Sequence, residues 1–339
     1  MARSSSRRPL EGITVVTLEH AVAAPFATRQ LADMGARVIK IERPGAGDFA
    51  RAYDRRVRGE ASYFVWINRS KESITLDVKH PEARQVLARL LGQADVLVQN
   101  LAPGAAARLG LSEEALRPTH QRLIVCDISG YGSAGPFRDK KAYDLLIQAE
   151  AGLLSVTGSP EEMARAGISV ADIAAGMYAY SAVLAALIQR GITGEGSHID
   201  VSMLECLAEW MGNPLYYGFE GQAPAARAGA SHPSIYPYGP FTAGDGKTVL
   251  FGLQNEREWK AFCEQVLAHP ELATDERFAT NLARIAHRVE LIRLLRECTL
   301  TRSTDEWVAA LEAAEVPCGP INDLARVFED AQVIARGMK

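Results

Sequence analysis

Short apolar runs alternate with helix-like stretches through the first two thirds of the chain. Ile13–Glu19 (ITVVTLE) is too short for a helix, AAPFATRQLADMG has helical periodicity, and Ala36–Arg43 (ARVIKIER) reads as a second strand. Strand, helix and strand in about 30 residues make a βαβ unit, so the sheet is parallel. The alternation continues through strands at Glu72–Val78, Asp95–Asn100 and Gln121–Ser129, with a helix opened near Pro81 between the first two. This predicts an α/β fold, an open parallel Rossmann-like sheet with helices on both faces. In such sheets ligands lie beyond the carboxyl ends of the strands, so the loops at Glu19–Pro25, Arg43–Asp48, Asn100–Gly104 and Gly130–Pro136 should share one face.

A long helix rich in small residues is expected over Ala171–Arg190, followed by a glycine turn, a strand and another helix. Then the texture changes. Asn213–Thr242 is rich in Gly, Pro, Tyr and Ser and reads as a linker. Beyond it a second, smaller α/β unit follows, with a strand at Lys247–Leu253, helices at Glu256–Ala268, Ile285–Cys298 and Thr304–Ala314, and a closing turn and helix in VPCGPINDLARVFED. The expected boundaries are 9–215 for the large domain, 216–328 for linker and small domain, and 329–339 for a final segment.

Composition narrows the function. Among 339 residues, 37 basic against 41 acidic side chains leave a net charge of −4, without the basic field that nucleic-acid binding needs. Cysteines 126, 206, 263, 298 and 318 are scattered without a CxxC pair, arguing against a disulfide framework or a zinc site and for buried thiols in a reducing compartment. The apolar run Ile173–Ile188 falls short of the roughly 20 residues a membrane span needs. Met1–Arg8 (MARSSSRR) is not followed by a signal-peptide core, which predicts a frayed arm on a cytoplasmic protein with no membrane partner.

GYGSAG (Gly130–Gly135) matches a dinucleotide fingerprint, but Pro136 and charged residues follow where a helix is required, and the first βα turn, EHAVAAP, holds no glycine. No nicotinamide cofactor is expected, and no metal. Arg43, Arg108 and Lys141 lie on loops of the predicted ligand face; each alone reads as a solvated surface charge, but together they form the set a coenzyme with several phosphates requires. Asp172 directly precedes the most apolar helix. It is either an ordinary N-cap or a carboxylate held ionised by the helix dipole and able to act as a nucleophile. His20, on the same face, reads as a packing or backbone-bonding residue.

Taken together, RPLEGITVVTLEHAVAAPFATRQLADMGARVIKIERPGAGD, YFVWINRSKESITLDVKHPE, DVLVQNLAPGAAARLGL, DISGYGSAGP, GISVADIAAGMYAYSAVLAALIQRGITGEGSHIDVSMLE and VPCGPINDLARVFEDAQVIARG resemble the family III (CaiB/BaiF-type) CoA transferases. The resemblance implies transfer of coenzyme A from an acyl-CoA co-substrate to a free carboxylic acid, with Asp172 as nucleophile. A mixed aspartyl anhydride and then an aspartyl-CoA thioester would form. It further implies CoA contacts from Arg43, Asn100, Arg108, Lys141 and Tyr143, with Lys71 of the loop NRSKES as an additional contact, and an interlocked homodimer. The blocks look most like members acting on short dicarboxylates with succinyl-CoA as donor. α-Methylacyl-CoA racemases share the family and stand second, because Tyr143 occupies the position of their catalytic histidine.

Val22 stands where formate and oxalate transferases carry glutamine, pointing to a larger or less polar acyl group. For a distal carboxylate the candidate partners are Arg51, Arg227 and His232, chosen by loop position and charge. Family members continue past RVFEDAQVIARGM and return to the first domain. Residues 329–339 are therefore expected to begin a return segment that this chain does not complete, which leaves an inactive CoA-binding protein as a third reading.

Overall fold

The computed structural model describes residues 7–338; most of the expected N-terminal arm, together with Lys339, lies outside the described residues. The apolar runs build strands β1 (Thr14–Leu18), β2 (Arg37–Glu42), β3 (Glu72–Thr75), β4 (Val96–Gln99), β5 (Ile124–Ser129) and β6 (His198–Ser202). They pair in the order β3-β2-β1-β4-β5-β6, and every pairing is parallel.

Side chains alternate across each strand. Val15, Val96, Val98, Ile124 and Cys126 therefore pack on one face with helix α1 (Ala23–Asp33), and Val16, Leu97, Leu123 and Val125 pack on the other with helix α2 (Pro81–Leu91). Each such side chain, fully buried, contributes about 1.5–3 kcal/mol. The first face is completed by the long helix α3 (Val170–Thr193), whose inner positions are Ala171, Ala174, Ala175, Gly176 and Ala179. Small residues let backbones come close. A Cβ at Gly176 would sit 2.8 Å from the Ala23 carbonyl oxygen and 2.9 Å from Phe26, so glycine there brings the head of α1 against α3. By length and composition α3 could cross a membrane, but its small-residue face is packed into the sheet core.

The chain divides into two compact units. The first runs through Ser155 and resumes over Ala164–Pro224; the second comprises Val156–Met163 and the chain from Ala225 onward. The second holds an antiparallel sheet, β7 (Tyr238–Thr242), β8 (Thr248–Gly252) and β9 (Cys318–Pro320), packed by helices around Phe251, Trp259, Phe262 and Trp307.

Several local expectations change. The stretch read as a linker contains a helix at Gly212–Tyr217 and the whole of β7, because Tyr238–Thr242 gains its strand form from β8 rather than from its own composition. The helix expected over Glu256–Ala268 becomes π-helical at Phe262–Leu267, the next breaks at His287, and the closing helix is two short pieces preceded by β9. Cys126, Cys206 and Cys263 are buried free thiols, whereas Cys298 and Cys318 are only half-buried.

Candidate active site

The strand order reverses between β1 and β4, and the loops leaving these two strands diverge to open a crevice. Asn100 ties them together. Its side-chain oxygen accepts from the His20 N–H at 3.0 Å and its amide donates to the His20 carbonyl at 2.9 Å. Ala21 then takes a left-handed φ of 61°, and its N–H donates to Asp48 at 3.1 Å. Through this turn α1 begins without a side-chain cap, leaving its first N–H groups at the crevice.

Beneath the turn lies a buried ionic cluster. Lys40 Nζ donates to Asp48 at 2.6 Å and to Asn68 at 2.8 Å; Lys71 Nζ donates to Glu19 at 2.6 Å and to the Pro25 carbonyl at 2.9 Å. Thr17 and Thr28 hydroxyls also donate to Glu19. The Lys71 side chain is 2% exposed and committed to Glu19, so it braces the turn. Burial pushes it down to about 8, against the pull of Glu19.

The cleft above encloses about 540 Å³ within the first unit. Asp172 stands in it at the first turn of α3. Ser169, the residue preceding the helix, makes no side-chain cap; instead Asp144, at the head of the helix Asp144–Glu150, accepts from the Ala171 N–H at 2.8 Å and the Asp172 N–H at 3.3 Å. The fully buried Gln148 donates to the other Asp144 oxygen at 2.6 Å and accepts from the Ala166 N–H at 3.0 Å. Asp172 is therefore not the cap that N-cap statistics suggest. Its carboxylate is left free, and burial first, then the Asp144 charge, push it up to about 7, while the Ala23 N–H pulls the other way.

An aromatic wall faces it. Phe49, Tyr53 and Tyr63 line the cleft in edge and tilted contacts, and the Tyr63 hydroxyl lies 3.2 Å from the Ser169 hydroxyl. Burial, then the negative charges of Asp48 and Asp172, push the Tyr53 phenol up to about 12. Burial holds the His20 imidazole below its usual range, against the opposing pull of Asp48.

Val22, Asn100, Lys141, Tyr143 and Asp172 all line this cleft. Arg43 and Arg108 do not line it, but both are exposed on the same end of the sheet, Arg43 after β2 with its Nε on the Gly47 carbonyl and Arg108 after β4, folded over Gly104. Arg51 is outside the cleft wall. It grips Glu42 bidentately at 2.7 and 2.8 Å and stacks on Phe64; burial alone would raise Glu42, yet Arg51, Ser73 and the Asp48 N–H bring it to about 2. Arg227 and His232 belong to the second unit, where Arg227 donates to the Ser159 and Pro160 carbonyls and His232 stacks on Tyr238. A roomier groove of about 730 Å³ on that unit is lined by exposed and half-buried residues of one helical stretch. Asp144, Gln148, Arg165 and the aromatic wall are additions that spacing alone did not reveal. Gly130 is glycine because Ala142 packs 2.2 Å from where its Cβ would be, an explanation for part of GYGSAG that needs no nucleotide. Among the described residues no cluster of His, Cys, Asp and Glu is placed to hold a metal ion.

Residues 10–339 match the profile of CoA-transferase family III. The chain belongs to this family. A succinate--glutarate CoA-transferase of Agrobacterium fabrum is 39% identical to this transferase over 98% of the chain and 84% of its own length. The succinyl-CoA:glutarate CoA-transferase of Homo sapiens is 38% identical over 98% of the chain and 76% of its own length. A solved CaiB/BaiF family protein from Brucella suis superposes with a TM-score of 0.86 at 38% identity, covering 98% of this chain and 89% of its own. Acyl-CoA is accordingly the co-substrate of this transferase.

Proposed function

We propose that this transferase moves CoA from succinyl-CoA to a short dicarboxylic acid such as glutarate, with Asp172 as the covalent nucleophile. The observation that carries this reading is the carboxylate freed from capping duty by Asp144 and raised to about 7 at the foot of an aromatic-walled cleft. The names borne by the Agrobacterium and human relatives support the substrate class.

In the first step an Asp172 oxygen bonds to the thioester carbonyl carbon and the C–S bond breaks, giving a mixed anhydride and CoA thiolate. The thiolate then attacks the Asp172 carbonyl carbon, releasing the donor acid and leaving an aspartyl thioester. The acceptor carboxylate repeats both steps in reverse. No net proton or electron is exchanged. Acylation removes the charge that burial and Asp144 disfavour, so the ground state of the nucleophile is raised relative to its neutral acylated form. Arg43, Arg108 and Lys141 would meet the coenzyme's phosphates, and Asn100 and Tyr143 the pantetheine end near the cleft. The transferase would act in the cytoplasm as an interlocked homodimer, which the exposed apolar side chains of α3, Met177, Tyr178, Ile188 and Ile192, support.

Incubation with succinyl-CoA and a panel of short mono- and dicarboxylic acids, read by mass spectrometry, tests the reading. Glutaryl-CoA should form, and Asp172→Ala should lower its formation at least about a thousandfold while leaving the fold and CoA binding intact. Undiminished turnover in that variant, or solvent deuterium entering an acyl-CoA with no acceptor acid present, would overturn it.

A further inference from the structure

A dicarboxylate bound for attack at one end leaves a second carboxylate inside the cleft, and that charge needs a cation already held in place. The candidates chosen from loop position do not supply one within the cleft: Arg51 is committed to Glu42, and Arg227 and His232 are engaged within the second unit. Among the cleft's own cations, Lys140 is paired with Glu150 at 2.6 Å and is drawn over Tyr131 and Phe137. Lys141 lies on the loop after β5, among the cations assigned above to the phosphates.

Arg165 remains. It lines the same cleft as Asp172, its side chain is exposed there, and its one hydrogen bond among the described residues goes from Nη1 to the neighbouring Ala166 carbonyl at 3.0 Å, with no carboxylate partner. Its position is not that of a loose surface side chain. Ala166 donates its N–H to Gln148, Gln148 donates to Asp144, and Asp144 accepts from the Asp172 N–H. One fully buried glutamine thus fixes the backbone beside Arg165 and, through a single carboxylate, the backbone of the nucleophile. The backbone beside the cation and the backbone of Asp172 are anchored through the same side chain.

Resting on the transferase reading above, we propose that Arg165 is a specificity-determining residue that holds the distal carboxylate of the acyl group, in both succinyl-CoA and the acceptor acid. Its planar guanidinium offers two parallel N–H donors to that carboxylate, and it is what makes the cleft select dicarboxylic over monocarboxylic acyl groups.

The test compares wild type, Arg165→Gln and Arg165→Lys in the succinyl-CoA and glutarate exchange, with the affinity for free CoA measured by calorimetry. In Arg165→Gln the KM for glutarate should rise at least about tenfold, in line with the loss of one charge-assisted contact. Arg165→Lys should recover part of that, and CoA affinity should be unchanged in both. An unchanged glutarate KM alongside a working wild type overturns the assignment and leaves the transferase reading standing. Weakened binding of free CoA also overturns it, because the arginine would then serve the phosphates. A wild type that binds CoA but yields no glutaryl-CoA sinks the transferase reading, and the role of Arg165 with it.

Discussion

Two groups of carboxylates, one buried and one half-buried, lie on either side of the turn at Ala21, and they are treated in opposite ways. Below it, Glu19 and Asp48 are matched by Lys71 and Lys40, and further saturated by threonine hydroxyls and backbone N–H groups. Above it, Asp144 and Asp172 face one another with no cation between them; Asp144 is consumed by helix N–H groups and Asp172 is left with the Ala23 N–H. The first arrangement holds backbone in place and has no reason to react. The second leaves unfavourable charge on one oxygen pair, which the acylation proposed above would relieve. The two groups differ in whether the local charge is balanced.

Breaking the balanced side should have the largest effect. Lys40→Met leaves Asp48 with an uncompensated buried charge and is expected to cost about 3–5 kcal/mol, read as a lowered midpoint in urea unfolding. A cost below about 1 kcal/mol would show that the cluster is solvated and is not the frame of the turn. Next comes the contact that brings the two sides together. Gly176→Ala places a methyl 2.8 Å from the Ala23 carbonyl, and a backbone atom cannot swing away as a side-chain tip can. Overpacking of this kind should cost about 1–3 kcal/mol and should lower kcat more than the KM for CoA, since it moves the head of α1 away from Asp172.

The smallest and most specific change is Asp144→Asn. Its carbonyl can still accept from the Ala171 N–H, so the cap survives; the Gln148 amide loses its acceptor on the other oxygen, and one of the two causes that raise Asp172 is gone. A nucleophile in the proposed role of Asp172 must be ionised, so kcat/KM should climb with pH through about 7 in the wild type. In Asp144→Asn that limb should move to lower pH, while burial, the larger cause, keeps it above the ordinary value of 3.8. A limb that stays in place would assign the whole shift to burial.

How far the sequence reveals this arrangement differs from element to element. The six parallel strands are legible because β1, β2, β4 and β5 are buried on both faces and read as continuous apolar runs. Asp172 is legible as a carboxylate heading the most apolar helix, although statistics assign it the capping role that Asp144 takes from a distance of 28 residues in the chain. The burial of Lys71 is not legible, for a physical reason. A lysine in a polar loop looks solvated, and only the tertiary approach of Glu19, 52 residues earlier, takes it out of water. Arg165 sits in a stretch with neither periodicity nor a motif, and its standing depends on Gln148, which reads as an ordinary helix residue until its burial is seen. β9 has three residues and exists because β8 offers it an edge.

The Asn100 clasp reaches His20 through peptide atoms alone, a donor and an acceptor that every residue except proline possesses. Position 20 is consequently free to vary in side chain while position 100 is not. A library randomised at 20 could recolour the wall of the cleft without disturbing the path of the chain, whereas the same freedom at 100 would release both loops at once. Enzymes that diversify their substrates need such places, where identity can drift while geometry is inherited.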